Sequence, residues 1–122
     1  MTDETKNPIQ ELAAMDKLLY EPRRFAILNA LEVAGNLDYT YLRRISGLSQ
    51  GNLATHLAKL ENAGLVEIRK RTILRRPNSR VYITDEGRTT LSEHRRRVDQ
   101  LKEEIRNWAP TDDEYRMFWS DD

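Results

Sequence analysis

The sequence LSQGNLATHLAKLENAGLV, residues 48–66, decides the fold of this chain. Ser49 can start a helix there, because a serine hydroxyl accepts a hydrogen bond from a backbone N–H of the first turn. Leucines then recur at spacings of four and three residues, the period of one buried helical face: Leu53, Leu57 and Leu60. Gly64 is suited to end the pattern. The stretch therefore predicts a capped helix that packs its leucine face against a core.

The opposite face of this helix is polar, short and almost free of acids. At about 3.6 residues per turn it holds Gly51, Asn52, Thr55 and Lys59, with His56 at its flank and Gln50 in the entry turn. Short hydrogen-bonding side chains near the start of an exposed helix suit base edges in a DNA major groove, and a glycine lets the backbone come close. A solvated face that contacts nothing is the alternative, because every surface helix is polar on one side.

Two helices are predicted before this stretch. Residues 1–8 show no periodicity and are expected to be frayed, whereas the apolar residues from Ile9 to Leu19 predict a short packing helix. Pro22 suits the first turn of a second helix and Gly35 suits its end, with an inward stripe of Ile27, Leu28, Leu31 and Ala34. We expect this second helix to lie in the core.

A short strand and a brief helix are predicted next. Residues 37–39 could extend as a strand, and Thr40 is placed to cap a helix that stops at Gly47. A tight turn from Gly47 to Ser49 then joins this brief helix to the leucine-faced helix.

After the leucine-faced helix the apolar period changes from helical to alternating. Val66 and Ile68 alternate with polar residues, and so do Val81 and Ile83, which is typical of two strands. Pro and Asn within residues 73–79 disfavour pairing, so this segment is predicted as the turn of a hairpin.

Cations are concentrated in the predicted hairpin. Residues 65–84 contain one acid, Glu67, and six cations: Arg69, Lys70, Arg71, Arg75, Arg76 and Arg80. The adjacent arginines of the expected turn suit a narrow, negative minor groove. Protection of strand edges is the alternative use of such charges, but six cations exceed that need.

The formal net charge of the whole chain is zero, which taken alone argues against a nucleic-acid partner. Many of the compensating acids, however, lie towards the two ends of the sequence. Because salt screens charges beyond about 10 Å, a local cationic surface can still attract phosphate.

Composition excludes several classes of protein. The 122 residues suffice for one domain, and no apolar run approaches the roughly 20 residues needed to cross a bilayer, so a soluble, cytoplasmic chain without a leader is expected. The absence of cysteine excludes disulfides, thiolate metal clusters and thiol switches. Two histidines on different elements do not make a metal site, and no phosphate-binding or nucleophile motif is present. We therefore expect no cofactor, no metal and no enzymatic activity.

A long helix is predicted from residue 85 to residue 109, capped by Thr84 and followed by Pro110. Five apolar residues and one histidine follow steps of three and four along it: Leu91, His94, Val98, Leu101, Ile105 and Trp108. This heptad seam predicts pairing with a second subunit, and packing on its own domain is the alternative. The role of the acidic, aromatic tail, residues 110–122, stays open.

The stretch from Tyr20 to Leu91 resembles the winged-helix transcriptional regulators of bacteria and archaea. The likeness is carried by LSQGNLATHLAKLENAGLVEIRK, then RRP, then YITDEGR, and the ArsR and MarR regulators are the wider relatives. The resemblance implies an α+β, mainly α, winged helix-turn-helix with a two-stranded wing. It places a DNA-binding domain at residues 9–84 and a dimerisation helix at residues 85–109.

The resemblance also implies a homodimer that binds double-stranded operator DNA, with a recognition helix at residues 49–59 and a wing at residues 70–80. The DNA-binding residues it implies are Ser49, Gln50, Gly51, Asn52, Thr55, His56, Lys59, Lys70, Arg75, Arg76 and Arg80. Related wings often turn on a glycine, which residues 73–79 lack. No effector is implied, and the rival hypothesis is a winged-helix module that docks a protein instead of DNA.

Overall fold

Five helices and three strands form the described part of the chain, residues 7–108 of a computed structural model. In chain order they are α1 (Pro8–Ala13), α2 (Pro22–Ala34), β1 (Asn36–Asp38), α3 (Tyr39–Ser46), α4 (Gln50–Asn62), β2 (Val66–Ile73), β3 (Arg76–Ile83) and α5 (Asp85–Asn107). These residues divide into two compact units, residues 15–96 in one and residues 7–14 with 97–108 in the other. The expected fold class is confirmed: mainly α, with a small antiparallel sheet and a long C-terminal helix.

Leucines fill the core of the larger unit. Its fully buried side chains come from α2, α3, α4, β3 and the first half of α5: Leu28, Leu31, Leu42, Leu53, Leu57, Leu60, Val81 and Leu91. This arrangement confirms the predicted inner face of α4 and the core position of α2. Truncating a buried leucine to alanine typically costs about 2–5 kcal/mol, so the contact of α4 with the core is strongly favoured.

Three predicted helix ends are confirmed by their hydrogen bonds or backbone conformation. The Ser49 hydroxyl accepts a hydrogen bond from the Asn52 backbone N–H at 3.1 Å. The Thr84 hydroxyl accepts one from the Gly87 N–H at 2.9 Å. Gly47 ends α3 in the left-handed conformation, with φ of 70°. These caps fix where α4 and α5 begin.

The predicted start of α3 is wrong. Asp38, not Thr40, is the N-cap, and its carboxylate accepts a hydrogen bond from the Tyr41 N–H at 3.0 Å. The strand before it is correspondingly shifted by one residue, to Asn36–Asp38. An aspartate at the end of β1 can reach the free N–H groups of the first turn directly, so the helix starts without a further connection.

The predicted frayed segment is wrong for Asn7 and Pro8, while residues 1–6 lie outside the described part of the chain. Asn7 caps α1: its side chain accepts from the Gln10 N–H at 2.9 Å, and the Gln10 side chain accepts from the Asn7 N–H at 3.3 Å. This reciprocal pair is a capping box. α1 ends at Ala13, so the predicted helix towards Leu19 is shorter than expected.

The sheet has the order β1-β3-β2, and its hairpin differs from the prediction. Pairing runs out to Ile73 and Arg76, so the turn contains Leu74 and Arg75 rather than residues 73–79. Both turn residues have positive φ, 51° and 65°. That conformation matches a two-residue type I′ turn, whose twist suits the flanking strands. Cross-strand pairing therefore imposes a left-handed conformation that glycine would normally supply.

Replacing Leu74 by Asn should stabilise the protein, because asparagine tolerates a positive φ better than leucine does. The side chain is 91% exposed, so little packing is lost. We expect the free energy of unfolding in urea to rise by about 1 kcal/mol. Ile73→Asn, in β2, is the matched control and should lower it. Equal effects at both positions would contradict the turn geometry.

Two glycines on helices provide a second test of packing. A Cβ added to Gly87 would lie 2.2 Å from the Leu65 carbonyl oxygen, whereas one added to Gly51 meets no heavy atom within 4 Å. Gly87→Ala should therefore lower the free energy of unfolding by about 3 kcal/mol or prevent folding. Gly51→Ala should raise it by about 1 kcal/mol, since alanine favours helix. Thermal and urea unfolding check both, and a harmless Gly87→Ala would be inconsistent with this contact.

Candidate nucleic-acid interface

The polar face of α4 is exposed. The exposed residues that belong to this face or to the cap are Ser49, Gln50, Gly51, Asn52, Thr55 and Lys59. Residues 49–59 contain no acid, so this surface presents hydrogen-bonding groups and one cation without a competing negative charge. Such a face can approach a polyanion closely.

Asn52 and Thr55 differ in how much hydrogen-bonding capacity they keep. The Thr55 hydroxyl donates to the Gly51 carbonyl oxygen at 3.0 Å, which leaves its oxygen as an acceptor. The Asn52 side chain has no hydrogen-bond partner among residues 7–108. Asn52 therefore offers an outside partner both a donor and an acceptor.

His56 does not share this exposure, and its expected position facing bases is wrong. It is only 8% exposed, and Arg24 Nη1 lies 3.0 Å from its Nδ1. The physical reason is its place in the helical period, beside Leu57 and between Leu53 and Leu60, which puts it at the edge of the buried stripe. Burial lowers the pKa of His56 below its ordinary value; the charge of Glu21 opposes this effect, and Arg24 adds to it.

The hairpin carries its cations on two different faces. Residues directly opposite each other on paired strands share a face, and successive residues alternate. Lys70 pairs with Ser79, and both line a cleft of about 450 Å³ against α4. The cations on the other face of the ribbon are Arg69, Arg71, Arg76 and Arg80. Arg75 lies in the turn, so the predicted cluster is not one surface.

Two cations on the second face are held by neighbours within the fold. Arg80 is partly buried, and its Nε donates to Asn36 Oδ1 at 2.6 Å. Arg69 Nε donates to Glu67 Oε1 at 2.7 Å, and its guanidinium lies 4.1 Å from the Tyr82 ring centroid. These contacts place both arginines at the base of the ribbon. Lys70, Arg71, Arg75 and Arg76 are exposed and make no ion pair within the described chain.

A polar connection at the ribbon base was not foreseen from sequence. Asp38 accepts a hydrogen bond from Asn78 Nδ2 at 2.8 Å in addition to the one from Tyr41. The backbone hydrogen bond from Tyr41 and the side-chain bond from Asn78 lower the pKa of Asp38. Because Asp38 also caps α3, one carboxylate ties the ribbon to the helix that precedes α4. The two partners are 40 residues apart, and no local pattern predicts such a pair.

The predicted seam on α5 is used largely by the chain itself. Leu91 is fully buried in the core of the larger unit, and Leu101 is also fully buried, so the interface prediction is wrong for both. The His94 ring contacts Tyr20 and Phe25, with ring centroids 5.8 and 5.7 Å apart. Heptad spacing cannot separate intramolecular from intermolecular packing. The remaining candidates for a dimer interface, still a prediction, are Val98, Ile105 and Trp108.

Two other features of the described residues bear on function. Between residues 7 and 108, no helix is long and apolar enough to cross a membrane. Over the same residues, no group of three histidine or acidic side chains is placed to hold a metal ion.

A short helix, a tight turn and an exposed polar helix, followed by a two-stranded ribbon, define a winged helix-turn-helix. Residues 23–102 match the family described as Winged helix DNA-binding domain, and the chain belongs to that family. The expected resemblance to winged-helix regulators is thereby confirmed.

Three similar proteins are an uncharacterized protein and two transcriptional regulators. An uncharacterized protein of Methanocaldococcus jannaschii is 35% identical over 80 residues, which cover 66% of this chain and 84% of that protein. A transcriptional regulator homologue from Pyrococcus horikoshii OT3 has a TM-score of 0.65 and 30% identity, covering 82% of this chain and 95% of its own. The transcriptional regulator BldR from Sulfolobus solfataricus has a TM-score of 0.57 and 26% identity, and the match covers 90% of this chain and 79% of that chain.

Proposed function

We propose that this protein is a sequence-specific, double-stranded DNA-binding transcriptional regulator without enzymatic activity. The observation that carries the proposal is the acid-free, exposed face of α4 beside the ribbon. The exposed ribbon cations Lys70, Arg71, Arg75 and Arg76 make no ion pair within the described chain. An exposed helix of this kind fits a major groove, and the arginines of the ribbon fit the narrower minor groove beside it. Membership of the winged helix DNA-binding domain family supports the same function.

The residues of α4 and of the ribbon differ in chemistry, and their proposed roles differ accordingly. Gln50, Asn52 and Thr55 carry hydrogen-bonding groups that can distinguish base edges. Lys59, Lys70, Arg75 and Arg76 carry charges that neutralise phosphate regardless of sequence. Arg80 is assigned a lesser role than the resemblance implies, because its guanidinium is already bonded to Asn36.

We further propose that the protein acts as a homodimer and represses transcription by blocking polymerase. Two copies of α4 would enter successive major grooves about 34 Å apart. The support for pairing is Trp108, which directly follows the last residue of α5 and is 39% exposed. Large exposed aromatic side chains are enriched where proteins meet.

Changing both Arg75 and Arg76 to Ala should weaken binding to every duplex, because the ribbon then loses two phosphate contacts per protomer. We expect the slope of log affinity against log salt to flatten by about 0.9 for each lost contact. Fluorescence anisotropy with a labelled random-sequence duplex at several salt concentrations measures this slope.

Arg69→Ala is the matched control for the ribbon arginines. Its charge is compensated by Glu67 and its guanidinium packs on Tyr82, so its loss should change the slope little. An unchanged slope in the Arg75 and Arg76 double variant would refute the assigned role of the ribbon.

Changing Asn52 to Ala should relax sequence preference rather than abolish binding. A base contact made by an amide contributes about 1–3 kcal/mol of discrimination. In a competition experiment, the ratio of the affinities for the selected operator and for a single-base variant of it should therefore fall by roughly 5–150-fold. Selection from a random DNA pool supplies the operator. If Asn52→Ala leaves discrimination intact, α4 does not read bases through this residue.

Gly51→Ala, which should stabilise the fold, tests whether the backbone of α4 comes close to DNA. Reduced affinity for DNA in this more stable protein supports a close approach.

The rival hypothesis is a winged-helix module that binds a protein through the same surface. Measured affinity for random duplex DNA at low salt separates the two. Salt-dependent DNA binding supports the regulator, whereas capture of a protein partner with no affinity for any duplex would establish the interaction module.

A further inference from the structure

Arg24 is an arginine in the interior of the larger unit. It lies in the first turn of α2 and is 7% exposed. Its Nε donates to the Leu18 carbonyl oxygen at 2.7 Å and its Nη2 to the Lys17 carbonyl oxygen at 3.1 Å. Its Nη1 lies 3.0 Å from His56 Nδ1. A buried guanidinium is tolerated only when its donors are paired, so these three bonds are mutually dependent.

The chemistry of the two side chains fixes the state of His56. A guanidinium has donors only and remains protonated, so Nδ1 must accept with its lone pair. A ring whose Nδ1 accepts is neutral and carries its proton on Nε2. Within residues 7–108 that Nε2 has no hydrogen-bond partner. The side chain of Arg24 therefore selects one protonation state of a histidine on α4.

We propose that Arg24 is a positioning residue for DNA recognition, which holds α4 in its binding orientation through neutral His56. The inference rests on the proposed function and deepens it. Apolar packing of the leucine face resists separation of α4 from the core but resists rotation about the helix axis less. A directional bond between Arg24 and His56 fixes that rotation, and hence which side chains face the groove.

Protonation of His56 breaks this arrangement. Nδ1 then becomes a donor that faces a donor, and two cations lie about one hydrogen-bond length apart away from bulk water. Affinity for DNA should therefore fall in acid. An exposed histidine near phosphate does the opposite, because its positive charge attracts the polyanion. The sign of the pH dependence thus distinguishes a positioned neutral histidine from an ordinary phosphate contact.

The charged groups around His56 set the range of pH in which this happens. Glu21 favours the protonated ring, whereas Arg23, Arg24 and Lys59 disfavour it. Desolvation is the largest effect, and the pKa of His56 lies below the ordinary 6.5. The neutral ring is therefore present at neutral pH. The contribution of the contact to stability is complete above about 6.5 and is lost as the pH falls through the lowered pKa.

The experiment measures the affinity of the full chain for a random-sequence duplex between pH 8 and pH 5 at constant salt. Wild-type affinity should fall by up to about tenfold per pH unit, for each protomer, below the pKa of His56. His56→Asn is the informative variant, because the asparagine Oδ1 can accept from Arg24 where Nδ1 did, without titrating. It should bind nearly as well at pH 8 and lose this pH dependence. His94→Gln, which removes the other histidine, should retain the wild-type profile.

Arg24→Met tests the same role through the pH profile of DNA affinity, which a purely structural role of Arg24 would leave unchanged. Without the guanidinium the directional bond is lost and protonation of His56 no longer sets two cations together, so the variant should bind more weakly at pH 8 and should not show the wild-type fall in acid. Circular dichroism across the same pH range establishes that each variant is folded, and His56→Asn alone decides the matter if Arg24→Met does not fold.

The outcomes separate this inference from the proposed function. Binding at pH 8 with a flat or rising wild-type profile in acid would overturn the role of Arg24 while leaving the regulator intact. A falling profile that persists in His56→Asn would do the same. Failure of the wild-type protein to bind any duplex at any pH would overturn both.

Discussion

Burial of the leucine face of α4 is the constraint on which the rest of the structure depends. Leu53, Leu57 and Leu60 are at most 1% exposed, so this face of the helix lies against the core. A helix with its apolar stripe buried must present the opposite stripe to solvent. The exposed, acid-free face is therefore a geometric consequence of core packing, because burial of the leucines behind it keeps that face in solvent.

The ribbon follows a different rule, because a strand alternates its side chains. Its cations are consequently divided between a face that borders α4, with Lys70, and a face that points away from it, with Arg71 and Arg76. Interactions at the base hold Arg69 and Arg80, while the turn carries Arg75 outward. The ribbon thus offers charge along its outer half and rigidity at its base. That arrangement suits contacts with phosphate groups, which need a positive charge at a defined distance more than they need a particular side chain.

What could be predicted from the sequence was mostly local. The caps at Ser49 and Thr84 and the inner face of α4 follow from spacing within a few residues, and the structure has all of them. The turn was missed because Leu74 and Arg75 adopt a conformation that their own preferences disfavour and that strand pairing imposes. Arg24 stands in step with the apolar stripe of α2, and that spacing was the available signal for its burial. Its side-chain partner, His56, is 32 residues away, so that partner could not be predicted.

The burial of a cation beneath α4 has a physical rationale. Hydrophobic contact is nearly non-directional, so it fixes the depth of α4 more firmly than its rotation. Near one end of the helix, the cap at Ser49 defines where the backbone starts; in its middle, His56 meets a guanidinium that is itself bonded to two carbonyl oxygens. A rotation of α4 would break an oriented hydrogen bond and leave a charge buried without its partner, which costs far more than sliding one methyl group past another. Under the proposed function, base reading depends on the rotation of α4 about its axis, and the buried polar contact between Arg24 and His56 is the directional interaction that opposes such a rotation.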